Sequence, residues 1–145
     1  MVIPPLLKLK SEIDYKKHFI SKYCRSPIKT FDDIKVYFKK YKFNHDFYES
    51  SKRNKIKDKF STIRAERMDW IEYALTNKSA TLYQGWSKKK NCYVNNRRVS
   101  VVIHDYVVVI ELNKTMEKAK FITAYVADNS IAKIKSSPLW QKAKK

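Results

Sequence analysis

Residues 99–112 hold two β-branched runs, Val-Ser-Val-Val-Ile and Tyr-Val-Val-Val-Ile-Glu-Leu, parted only by His104 and Asp105. Two such runs split by a polar pair read as an antiparallel hairpin. The second run has no polar residue from Tyr106 to Ile110. A strand of that kind is buried on both faces and belongs in the middle of its sheet. Phe121-Ile-Thr-Ala-Tyr-Val126 is a third run of the same kind.

Strand patterns at 81–86, 91–94, 97–103, 106–112 and 120–126 predict an antiparallel meander of about five strands. Upstream, the spacing predicts helices. A short one covers 12–23, with Ile13, Phe19 and Ile20 on one side. A second starts at Thr30, where Thr30 and Asp33 resemble a capping box, and carries Phe31, Ile34, Phe38 and Tyr41 to about Asn44. Residues 45–50 read as a loop entering the lysine-rich stretch 52–59. A third helix spans about 58–76. On its wheel Ile63, Arg64, Arg67, Ile71, Ala74 and Leu75 fall within about 60° of Phe60. Two arginines therefore share the side expected to meet the sheet. A final helical turn falls near 129–134. Helices first and an antiparallel sheet second predict an α+β fold. Residues 1–29 form a basic extension, 30–140 the α+β domain and 141–145 a basic tail.

The formal net charge is +18, from 32 Lys+Arg against 14 Asp+Glu, spread along the chain rather than held in a tail. That excess points to a polyanionic partner, nucleic acid first. Gly85 is the only glycine, which rules out glycine-rich phosphate loops. Cys24 and Cys92 have no histidines at metal-ligand spacing, so no metal site or cofactor is expected. Neither a secretory leader nor a transmembrane span is expected, which places the protein in a cytoplasm, its own or a target cell's.

What remains suits phosphodiester chemistry without metal. RNA carries its own nucleophile, the 2′-hydroxyl. The protein must supply a base, an acid for the leaving oxygen, and cations for the developing charge. His45, beside Asp46, is the candidate for proton transfer; the alternative is a surface or capping histidine. Arg64 and Arg67 suit phosphate clamping, or a salt bridge to the sheet, with Glu111 as partner. Arg97 and Arg98 open a strand, so one should reach the pocket and the other solvent. Thr123 and Tyr125, at i and i+2, aim two hydroxyls at one place. Tyr83, Trp86 and Tyr93 are candidates for stacking on bases, or simply core and edge cover.

The segment from Arg64 to Ile71, then Gln84-Gly-Trp86, Arg97-Arg98-Val99, the Tyr106–Ile110 run and Phe121-Ile-Thr-Ala-Tyr125 resemble, in that order, the barnase–EndoU–colicin–RelE class of nuclease domains, in particular its phage- and mobile-element-linked branch. The resemblance covers about 31–138. It implies helices packed on a curved antiparallel sheet and a metal-independent endoribonuclease, toxin-like or mobile-element-encoded. It also implies a sheet-face site formed by His45, Arg64, Arg67, one of Arg97 and Arg98, Thr123 and Tyr125. No second histidine stands in a matching strand, so Tyr125 or water takes that place. The RNA target, transfer RNA or another, is not inherited. A toxin of this kind would be matched by an acidic immunity or antitoxin protein. The rival readings are a non-catalytic RNA- or DNA-binding module and a basic structural protein of a particle.

Overall fold

A computed structural model describes residues 2–50 and 57–142. Most of the lysine-rich stretch and the end of the basic tail lie outside the described residues. The elements are α1 (Glu12–Phe19), continued by a π-helical turn (Ile20–Cys24), β1 (Ile28–Lys29), β2 (Lys35–Tyr37), α2 (Lys42–Asp46), β3 (Tyr48–Glu49) and β4 (Lys59–Phe60). They are followed by α3 (Thr62–Glu66), α4 (Trp70–Thr76), β5 (Thr81–Ser87), β6 (Cys92–Val102), β7 (Tyr106–Leu112), β8 (Lys118–Val126) and α5 (Ile131–Lys135).

The fold is α+β, and its main sheet runs β1-β2-β8-β7-β6-β5. The meander of β5 to β8 is antiparallel, but β2 joins β8 in parallel, so the sheet is mixed and six-stranded rather than a five-stranded meander. The strands expected at 91–94 and 97–103 are one strand, β6. β7 lies inside the sheet and is buried along its length apart from Glu111. His104 and Asp105 close the β6–β7 hairpin at φ of 62° and 56°, a left-handed conformation that histidine and aspartate tolerate better than β-branched residues.

Two expected helices give way to other structure. Residues 30–38 form the turn and second strand of the β1–β2 hairpin, and Ile34, Val36 and Phe38 are buried at a period of two while Phe31 and Tyr41 are exposed. Thr30 does cap, but it caps the turn: its Oγ1 accepts from the Ile34 amide at 2.9 Å and donates to Asp32 at 2.6 Å. The expected long helix at 58–76 begins with a strand and then breaks between α3 and α4. The Tyr23 hydroxyl enters the ladder there, donating to the Met68 carbonyl at 2.6 Å and accepting from the Glu72 amide at 3.2 Å. A side chain inserted between those two groups takes the bond that would have continued the helix. Asp69, at the break, holds α1 through His18 (2.7 Å) and Lys22 (3.1 Å).

The larger core lies on one sheet face, where Phe19, Tyr23, Phe38, Phe43 and Phe47 cluster against Phe121 and the buried residues of α4. Tyr15, Phe19 and Tyr23 bring residues 12–24 into this core, whereas Ile13, expected on the packed side, is exposed. The opposite face holds a smaller core of Tyr83, Val101, Val107 and Val109, covered by Ile131 and Ile134 of α5. Helices therefore lie on both faces, the C-terminal one opposite the rest. Among the described residues no helix is long and apolar enough to cross a membrane.

Candidate functional site

β2 pairs with β8 only at Lys118–Lys120. Beyond that point the outer edge of β8 is met by α2 and α3. Ser61 starts α3, its Oγ accepting from the Arg64 amide at 3.3 Å, and this turn sets Arg64 against the strand end. Arg64 Nη1 donates to the carbonyl of Asp46 at 3.1 Å, and its guanidinium carbon lies 5.9 Å from the centre of the Tyr125 ring. It thus bridges the last turn of α2 and the end of β8.

His45 lies in that last turn, not in a loop. Its side chain is 58% exposed, and Nδ1 is 3.0 Å from Oδ1 of Asp46. Asp46 is almost wholly buried, and its other oxygen lies 3.4 Å from Nζ of the buried Lys42. Nδ1 is thus engaged by the Asp46 carboxylate, with Nζ of Lys42 at 3.4 Å, and Nε2 is the ring nitrogen on the far side of the ring from this pair.

Thr123 and Tyr125 pair with Val109 and Val107 and stand on the face of the smaller core. With Gly85, Trp86, Arg97 and Lys133 they line a hollow of about 250 Å³. Burial pushes the Tyr125 phenol up; Arg64 and Arg97 draw it back only in part. The hydroxyl is therefore a proton donor at neutral pH.

Arg97 reaches this hollow because residue 85 is glycine. A Cβ there would lie 2.5 Å from Cγ and 2.7 Å from Cδ of Arg97, so the arginine stem crosses β5 where no other residue would let it. The register of β5 shifts between Gln84 and Gly85, which accommodates the crossing.

The remaining candidates are placed elsewhere. Arg98 points to the opposite face, as strand alternation requires, but meets no solvent: it is 0% exposed, bonded to Asp32 at 2.7 Å and packed on Trp140 and Phe31. Arg67 makes different contacts from Arg64. It donates to the Ile63 carbonyl, lies 5.1 Å from the Trp70 ring, and lines a separate hollow with Leu6, Trp70, His104 and Val126. The expected bridge to Glu111 is formed with neither arginine; Glu111 pairs with Lys120 at 3.4 Å. Tyr83 is buried in the smaller core and offers no face for stacking, while Trp86 is 47% exposed.

Asp46 links His45 to Arg64, through its side chain to the one and its backbone carbonyl to the other, and Arg64 reaches Tyr125, which shares a hollow with Thr123 and Arg97. Lys42, Gly85 and Lys133 join these residues without being among the candidates that the sequence marks. The i, i+4 spacing of Lys42 and Asp46 was a usable signal, as was a lone glycine inside a strand. Among the described residues no three His, Cys, Asp or Glu side chains gather as metal ligands would. No family model, curated protein or solved structure matches this chain.

Proposed function

We propose that the protein is a metal-independent endoribonuclease whose site is the His45–Arg64–Tyr125 cluster with Arg97 and Thr123. The observation that carries this reading is the position of Arg64, bonded beside the His45–Asp46 pair at one end and lying over Tyr125 at the other. The net charge of +18 supplies the attraction for RNA.

In this reading His45 Nε2 takes the proton from the 2′-hydroxyl as that oxygen attacks phosphorus. Arg64 and Arg97 hold the phosphate and stabilise the charge that gathers on its free oxygens. The P–O5′ bond breaks and the leaving oxygen receives a proton from Tyr125, whose phenolate is stabilised by the same two arginines and regains a proton from water. The products are a 2′,3′-cyclic phosphate and a 5′-hydroxyl. Thr123 lines the same hollow and positions the substrate.

Incubating purified protein with total RNA in excess EDTA tests the reading. Cleavage to cyclic-phosphate ends, abolished where the target nucleotide is 2′-deoxy, is the expected result. Intact RNA, bound with an affinity that falls steeply as salt rises, would make the protein a binding module instead.

Gly85→Ala gives a second check. The three heavy atoms nearest to the added methyl group all belong to the Arg97 stem, which it displaces. Cleavage falls by roughly tenfold to a hundredfold, as misplacing a phosphate ligand by about 1 Å does. Kinetics together with a thermal melt would show this; equal loss of activity and of folded protein would count against the role given to Arg97.

A further inference from the structure

The hollow at Tyr125 does not end at Trp86. Trp86 and Arg97 also line a second, larger hollow of about 610 Å³, whose walls include Lys88, Lys89, Lys90 and Asn96. The three lysines form the tip of the β5–β6 hairpin, where the Lys90 amide donates to the Ser87 hydroxyl at 3.1 Å, and all three are exposed. The one carboxylate lining it, Glu111, already pairs with Lys120. Between the two hollows stands Trp86, half-exposed and held edge-on by Tyr93 at 5.1 Å and 85°.

We propose that this trough carries a single-stranded nucleic acid leading away from the Tyr125 hollow, with one base stacked on Trp86 and the following phosphates on Lys88, Lys89 and Lys90. An exposed indole face next to a run of cations fits an unstacked base and its backbone. In a duplex the base faces are already covered by their neighbours, so the indole has nothing to stack on. The inference rests on the nucleic-acid reading of the adjoining site and adds to it that the substrate is single-stranded where it passes Trp86.

The test is equilibrium binding of a labelled oligouridylate, the matched RNA duplex and polyglutamate, all in EDTA. Trp70 and Trp140 are buried, so stacking is read directly as quenching of Trp86 fluorescence. Single-stranded RNA should quench the wild type and bind about tenfold more weakly to Trp86→Leu, while the duplex binds both proteins alike. Replacing Lys88, Lys89 and Lys90 together by glutamine should lower the slope of log affinity against log salt by about 2 for single strands. Because the hairpin tip is exposed, this variant keeps the test open even if Trp86→Leu folds poorly. Unchanged single-strand affinity in Trp86→Leu, an unchanged salt slope in the lysine variant, or polyglutamate binding as tightly as the oligonucleotide would each overturn the proposal. Expected binding without cleavage would leave the trough in place and remove the catalytic reading; cleavage without these binding effects would do the reverse.

Discussion

Arg98→Ala is expected to cost about 3 kcal/mol of stability, much of what a domain of this size has. The guanidinium is wholly buried on the α4 side of the sheet. It bonds Asp32 at one edge and lies 4.8 Å from the Trp140 ring centre and 5.7 Å from that of Phe31. Truncation empties this space and strands the Asp32 carboxylate. The melting temperature should drop by roughly 10 °C. Among the described residues, Arg98 Nε and Nη2 have no hydrogen-bond partner, so the charge itself is only partly compensated. The double change Arg98→Met with Asp32→Asn should therefore recover most of the loss, as apolar replacements of buried ion pairs commonly do. Burial pushes the Asp32 carboxyl up, but the hydrogen bonds from Arg98 and Thr30 outweigh it and hold the group below the usual carboxylate range. A lowered folded value adds stability in full above the unfolded value of about 4, and that stability is lost as the pH falls through the folded value. The gap between wild type and Arg98→Met should accordingly narrow in denaturant titrations below about pH 4. An Arg98→Ala protein that melts with the wild type would show that the pair holds nothing.

The largest effect on activity is expected at His45 and Arg64. Removing a general base costs about 10²- to 10⁴-fold, and removing a charge-stabilising donor about 10²- to 10³-fold. His45→Ala and Arg64→Ala should each show losses in those ranges under single-turnover conditions in EDTA. The double variant should lose far less than the product of the two, because groups that act on one transition state fail together. Arg64→Lys should rescue little: an ammonium cannot both reach the Asp46 carbonyl and present a planar fork over Tyr125. Circular dichroism would confirm that the variants are folded. Arg64→Ala cleaving within twofold of the wild type would remove the bridge from the mechanism.

The sheet was legible in the sequence wherever burial was two-sided or strictly alternating. The Tyr106–Leu112 run could only be an inner strand, and its link to residues 99–103 could only be tight. Ile71, Ala74 and Leu75 marked a helix face that the structure buries. The segment at 30–38 misleads a periodicity count into a helix, because Phe31 and Tyr41 extend an apparent helical period over residues that in fact alternate. Neither residue is in the core, and a periodicity count weighs exposed aromatics the same as buried ones.

The chemistry of the chain, its 32 lysines and arginines, three histidines and single glycine, was set by the sequence itself. Which arginine is closed into the core and which is left lining a hollow was decided by the tertiary structure. Strand alternation sends Arg97 and Arg98 to opposite faces, but only the packing of Trp140 and Asp32 makes one of those faces closed. Arg64 and Arg67 share a face on an ideal helix, yet α3 ends at Glu66 and the two diverge, Arg64 to the Asp46 carbonyl and Tyr125, Arg67 to Trp70, while the Tyr23 hydroxyl holds the break that follows. A contact between residues 45 positions apart in sequence leaves no trace in local pattern.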